Sequence, residues 1–316
     1  MSWIWLPEFQ DLDNPNISGG DPRMGEVHRL MDNQNRGALG TYSMGRYDIV
    51  HSLERIKGDY GVTARLKPKI LKKYGRSDQI DNNTYTTIME LPSGTLNEIY
   101  LDHNGITSVT CKDGDVGKPV SIEGHYFDTN YDLIFHVQTI ILAGTSAPLT
   151  QNLARATRMV VKGSTAAVAD IYCIQGSNVA NGVAVTGTSV HNMIKGSINH
   201  NQSQKCATTT SYRDYWLLTK QFSSVLSKTG SPVIEYQLEI KEARSDVWRI
   251  QSQSGGGIAG GVHTTQIFDP HIIIPPNHDV RIQALASASG VDASAYINGY
   301  LAIDQAKKND SEWTPL

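Results

Sequence analysis

The sequence is sparing with charge, cysteine and long apolar runs, and each shortage narrows what the chain can be. Of its 316 residues, 28 are basic and 31 acidic, a formal charge of −3, and the charged fraction is 19%. That fraction lies below the roughly 25% usual in soluble domains. It speaks against a charge-driven disordered chain and against a protein that compacts nucleic acid. No apolar stretch approaches the roughly 18 residues a membrane span needs, and the N-terminus has no basic-then-apolar signal segment. A soluble, unprocessed protein with no membrane partner is the expectation. Cys111, Cys173 and Cys206 are odd in number, widely spaced and without a CxxC pair. A disulfide framework, thiol redox chemistry and a zinc knuckle therefore all lack their signature. The thiols are expected as small buried hydrophobes in a chain folded in a reducing cytosol.

Catalytic and cofactor motifs are equally scarce. There is no HExxH, no Gly-x-Ser-x-Gly elbow and no cysteine with an evident histidine partner. Asp113-Gly114-Asp115 begins like a calcium loop but lacks the distal oxygens, so a hairpin turn is expected there. Gly255-Gly256-Gly257 with Gly260-Gly261 is not followed by Gly-Lys-Ser/Thr or by a helix start, and is expected as a flexible β connection. His278-Asp279 would place its side chains on opposite faces of a strand, which does not build a metal site. The expectation is a non-enzyme without cofactor or metal, although carboxylate pairs for glycoside hydrolysis leave no local signal.

What is present divides into two unequal regions. Residues 1–84 are expected as an N-terminal arm with short helices, 85–305 as a β-sandwich domain, and 306–316 as a tail. In the arm, Asp21 and Pro22 could open a helix to Arg36, on which Met24, Val27, Leu30 and Met31 share a face. A second helix is expected over 48–57, with Ile49, Val50, Leu53 and Ile56 on one face and Gly58 as its stop. A third, short and basic, is expected over 68–74. From Thr84 to Ile303, β-branched and aromatic runs recur about every 10–15 residues between Gly, Asn, Asp and Pro, the rhythm of an all-β sandwich. In the run 233–241, Ile234, Tyr236, Leu238 and Ile240 alternate with Glu235, Gln237, Glu239 and Lys241, so one face should be buried and the other wet. Val280, Ile282 and Ala284 alternate with Arg281 and Gln283 in the same way. Further strands are expected at 97–101, 106–112, 120–127, 133–142, 157–162, 169–175, 191–195, 215–226, 247–252, 262–268 and 295–303. Thirteen strands suit a jelly-roll-like antiparallel sandwich.

Candidate binding residues lie in the arm. Trp3 and Trp5 would be an exposed liability unless a partner or the chain's own domain covered them. Arg65, Lys67, Lys69, Lys72, Lys73 and Arg76 form an acid-free basic run suited to phosphates, to an acidic protein surface, or to plain solvation as a helix face. Nucleic acid is the least favoured of these partners. Tyr126, Tyr131 and Trp216 are candidates for stacking on sugar rings, and 176–187 is expected as a long surface excursion.

The run Ile272-Ile273-Ile274-Pro275-Pro276-Asn277-His278-Asp279-Val280-Arg281, with Ala286-Ser287-Ala288 and Ile297-Asn298-Gly299-Tyr300-Leu301, resembles the C-terminal half of structural proteins from tailed phages of aquatic bacteria. Ser121-Ile122-Glu123-Gly124, Val137-Gln138-Thr139, Leu153-Ala154-Arg155-Ala156-Thr157-Arg158, Ile171-Tyr172 and Asn201-Gln202-Ser203 extend the resemblance over about residues 85–303. It implies a β-sandwich in or on a virion, assembled in the host cytoplasm with other phage structural proteins of the capsid shell or tail. Head decoration, cement or minor capsid protein is the first expectation; a tail-associated fibre, adhesin or connector component touching host glycans is the second, and a virion glycan hydrolase the third. A homo-oligomer is expected, with a trimer favoured. The arm is expected to dock onto the shell or tail.

Overall fold

A computed structural model describes residues 40–92, 100–143, 146–163, 165–176, 179–185, 187–196, 201–225, 233–257, 263–288 and 290–307. The strands are β1 (Ala64–Ile80), β2 (Thr86–Thr87), β3 (Ile106–Cys111), β4 (Pro119–Phe127), β5 (Leu133–Ile141), β6 (Ala147–Leu153), β7 (Arg155–Val161), β8 (Ile171–Gln175) and β9 (Val179–Ala180). They continue with β10 (Val183–Ala184), β11 (Val190–Ile194), β12 (Ala207–Thr209), β13 (Asp214–Val225), β14 (Val233–Glu242), β15 (Arg249–Gly257), β16 (His263–Ile274), β17 (His278–Ala286) and β18 (Val291–Asp304). One helix, α1 (Gly40–Tyr60), precedes them.

The sheets sort these strands into two sandwiches. One sheet runs β1-β18-β13-β16 and a second β12-β17-β14-β15, with β2 added on β17. With β1 and β12 to β18 numbered first to eighth in chain order, the sheets read first-eighth-third-sixth and second-seventh-fourth-fifth. That interleaving is a jelly roll. Its core alternates inward along every strand, for example Ile234, Tyr236 and Leu238 against Ala293, Ala295 and Ile297. Between its first and second strands the chain builds another sandwich from the sheets β11-β8-β3-β6 and β5-β4-β7. A separate core fills it, including Ile106, Val109, Ile122, Leu153 and Ile171. The expected mainly β, jelly-roll-like antiparallel sandwich with a helix in the N-terminal region is the fold observed.

Three expectations need correction. The single sandwich over 85–305 is two, because period-2 alternation marks a strand's inner face without saying which sheet it joins. The short basic helix at 68–74 is instead the middle of β1, which pairs with β18 from Ala64↔Asp304 to Ile80↔Val291. Leu66, Ile70, Leu71 and Tyr74 are spaced as on a helix, but a register shift between Leu66 and Ile70 re-phases the strand around Pro68, where a ladder donor is not required. Residues 64–80 therefore belong to the jelly roll and not to an arm. The outer face of β14 is not wet: Gln237, Glu239 and Lys241 are buried. Glu239 pairs with Arg281 at 2.8 Å, and the Arg281 guanidinium lies 3.8 Å over the Trp248 ring. Trp248 meets Tyr100 edge-on, and together they roof the polar face.

The helix expected over 48–57 lies within α1, and Leu53 and Ile56 pack on the outside of the jelly roll beside Ala64, Tyr215, Leu217 and Ile273. It runs past Gly58 and stops at Gly61, whose φ of +65° and N–H bond to the Lys57 carbonyl (3.0 Å) make the left-handed cap. The expected helix at 21–36, Trp3 and Trp5 lie outside the described residues. So do residues 97–99 of the strand expected at 97–101; Tyr100 and Leu101 are irregular.

Candidate functional site

The two sandwiches meet at a polar joint centred on Arg155, the first residue of β7. Its Nε and Nη2 donate to Oδ1 and Oδ2 of Asp279 on β17, both at 2.8 Å. Nη1 donates to the Leu101 and Ala154 carbonyls, and Nη2 also to Ala243 O at 3.1 Å. Thr209 Oγ1 donates to Asp279 Oδ1 at 2.7 Å, and the guanidinium lies 5.4 Å from the Tyr100 ring centre. Arg155 and Asp279 are both excluded from solvent, so only this saturation of donors and acceptors makes their burial tolerable. Asn277 adds a clasp, accepting from the Leu133 N–H at 2.9 Å and donating to Asp132 at 2.8 Å. Its φ of +56° is a left-handed turn that asparagine tolerates. Phe127, Leu133, Ala154 and Ala243 seal the joint with a small apolar cluster.

Beside this joint lies a cleft of about 1020 Å³. One wall is β1 from Lys67 to Tyr74; the other is built from β4, β5 and β7, with Glu123, Phe135 and Arg158. The floor is the crossover 202–216. Lys67, Lys72, Lys73, Arg158, Lys205 and Arg213 line it against only two acids, Glu123 and Asp214. Lys67 pairs with Asp214 at 3.2 Å and Arg158 with Glu123 at 3.1 Å, while Lys73 Nζ donates to the Thr157 carbonyl at 3.4 Å. Lys205 is buried and donates to the Ala156 and His191 carbonyls at 3.0 and 2.9 Å. Burial pushes its amine down to about 7. Trp216, which faces both the jelly-roll core and the cleft, holds its indole N–H buried with no acceptor. The cleft thus offers an excess of positive charge and aromatic surface.

The basic run is not one face. Lys67, Lys72 and Lys73 line the cleft, whereas Arg76 pairs with Asp292 at 2.9 Å and Arg65 lies half-buried on β1. Lys69 is in β1, but its side chain lies outside the description. Tyr126, Tyr131 and Trp216 form no common platform: Tyr126 packs on the second core, and Tyr131 sits on a turn under Arg244, 4.3 Å from its ring. Sequence reasoning missed Arg155 and Lys205, whose partners lie far along the chain, and Arg213, whose guanidinium lies 5.7 Å from the ring centre of its neighbour Tyr212. The turn at 113–115, expected as a hairpin, is instead a 3-10 turn between β3 and β4, which lie in different sheets, and its Asp115 is buried, accepting from the Val168 and Ala169 N–H groups and from Lys118. Those bonds hold its carboxyl below the usual carboxylate range despite burial. Among the described residues no group of three or more His, Cys, Asp or Glu converges as a metal site would. All three cysteines are buried, and burial raises Cys111 to about 11 and Cys173 to about 12. No α-helix among the described residues is long and apolar enough to cross a membrane.

No family model and no curated protein matches the chain. Among solved structures, infectious bursal disease virus of the Gt strain aligns at 8% identity over 77% of this chain and 74% of that one, with a TM-score of 0.22. T=1 particles derived from that virus align at 10% identity over 76% and 70%, with a TM-score of 0.20. A tandem CBM22 domain of Paenibacillus barcinonensis Xyn10C aligns at 8% identity over 77% and 93%, with a TM-score of 0.19. Likeness at this level carries no argument about this chain.

Proposed function

We propose that the chain is a non-enzymatic structural protein of a tailed-phage virion, a head decoration, cement or minor capsid protein retained through its N-terminal region. One observation carries the reading. The segments 153–158 and 272–281, which bear the sequence resemblance to phage structural proteins, are more than a hundred residues apart, yet they meet through Arg155 and Asp279. Gln202, in a third such segment, accepts from Arg158 at 3.2 Å. Segments of the resemblance that are far apart in the chain thus come together at and beside the joint between the sandwiches. Jelly rolls serve in viral capsids and in lectins, an analogy at the level of fold alone. Assembly in the host cytoplasm and a homo-oligomer, with a trimer favoured, belong to the same proposal.

The second reading, a tail-associated adhesin or connector contacting host glycans, is favoured by the cleft, whose aromatic and polar lining could hold a sugar. Purified particles decide between them. Quantified gels with cryo-electron microscopy should find many copies on the head surface. A few copies at one vertex would favour the tail, and complete absence from particles would overturn both.

A further inference from the structure

We infer that the cleft between the sandwiches is a docking site for the acidic N-terminal segment, residues 1–21, of a neighbouring copy of this chain. This deepens the structural reading above by naming the contact the arm makes.

Charge is the first argument. Of the six basic residues lining the cleft, Lys67 and Arg158 are paired with its two acids and Lys205 is buried, so Lys72, Lys73 and Arg213 carry the excess positive charge. Residues 1–21 contain Glu8, Asp11, Asp13 and Asp21 and no lysine or arginine, with Trp3 and Trp5 ahead of the acids and Phe9 among them. Opposite potentials of this kind set both encounter rate and register. Aromatic rings entering a lysine- and arginine-lined cleft add cation–π contacts.

Edge strands are the second. β1 stands at the edge of its sheet, and β5, across the cleft, at the edge of its own. A main-chain edge can pair with an extended peptide, an interaction open to neither a saccharide nor a nucleic acid. The stretch from Glu8 to Asp13 spans about 20 Å when extended, most of the roughly 26 Å of the wall from Lys67 to Tyr74.

The direction of α1 favours a neighbour, since the stretch 22–39 would need much of its roughly 60 Å of extended reach to double back to its own cleft. Tyr60 lies 5.5 Å from Tyr215 of β13, and Ser52 hydrogen-bonds His271 of β16 at 2.9 Å. Toward its N-terminal end the helix thus heads for β16, the edge of the sheet opposite β1. Residue 40 is carried away from its own cleft.

The test uses the full chain with p-benzoyl-phenylalanine in place of Phe9, mixed with an isotope-labelled copy and irradiated. Cross-links from the modified copy to 67–74 or 135–137 of the labelled copy are expected. Sedimentation supplies a second readout: Asp11→Lys with Asp13→Lys should weaken self-association about tenfold at low salt, and Lys72→Glu several-fold. Combining Lys72→Glu with Asp11→Lys should restore much of the loss. Cross-links confined to one copy, cross-links outside the cleft, or a chain that stays monomeric at every concentration would overturn the inference. So would saturable binding of a sulfated oligosaccharide that Lys72→Glu abolishes while cross-links miss the cleft, which would assign the cleft to a saccharide. Particle counts are independent of these outcomes, so failure of the docking and failure of the virion reading remain distinct.

Discussion

Arg155 and Asp279, one from each sandwich, face each other through two hydrogen bonds of 2.8 Å with both side chains out of contact with water. Bidentate geometry makes this the strongest type of ion pair a protein builds, and the surrounding carbonyls and Thr209 use the remaining donors and acceptors. Together with the Asn277 clasp and the apolar cluster of Phe127, Leu133, Ala154 and Ala243, this contact fixes the two walls of the cleft.

Truncating one partner leaves the other charged and buried. Arg155→Met should lower unfolding free energy by about 3–5 kcal/mol, and adding Asp279→Leu should return part of that loss. Urea denaturation of the unaltered chain and the two variants measures it. A loss below about 1 kcal/mol for the single variant would mean that the joint is not held as described.

Gly75 of β1 passes so close to the segments 86–90 and 205–207 that a β-carbon there would overlap the Cys206 nitrogen and the Ile88 oxygen, two atoms already bonded to each other at 2.8 Å. Gly75→Ala should therefore destabilise by about 2–3 kcal/mol or more. Gly58, in α1, has open space around it, and Gly58→Ala should stabilise by about 0.5–1 kcal/mol through helix propensity. Thermal melts of the two variants, with shifts of opposite sign expected, check the close approach of β1 at Gly75.

Glu90 is buried, and burial pushes its carboxyl up to about 7 against the pull of Lys195 and Arg76, with Asp78 and Asp170 adding to the rise. An acid with a raised folded pKa binds its proton more tightly when folded, so stability falls as pH rises. The loss starts near the unfolded value of about 4.5 and is complete above about 7, amounting to roughly 2–3 kcal/mol. Glu90→Gln should flatten that part of the profile. Denaturation midpoints across the range check the difference, and parallel slopes for the two proteins would refute it.

Much of the β architecture was legible because alternation is local. Ile234, Tyr236 and Leu238 point inward as their spacing demands, and β3, β4, β5, β8, β11, β13 and β17 fall close to their expected bounds. β1 was hidden because its lysines and Pro68 mimic a short basic helix, and only the ladder with β18 overrides that spacing. β6 and β12 were missed as well: Pro148 and the polar Ala207–Thr209 carry little strand signal, and their pairing partners supply the rest.

Alone, the sequence determined the class, the inner face of most strands, the helix face carrying Leu53 and Ile56, and the absence of a thiol or histidine motif. Each of these depends on neighbours within a few residues. Tertiary structure decided that there are two cores, that Lys67, Lys72 and Lys73 share a cleft with Arg158 and Lys205, and that Arg155 finds Asp279. Those choices turn on pairing between residues tens to hundreds of positions apart, and loop-closure entropy grows too slowly with separation to leave a local trace of which partner is chosen.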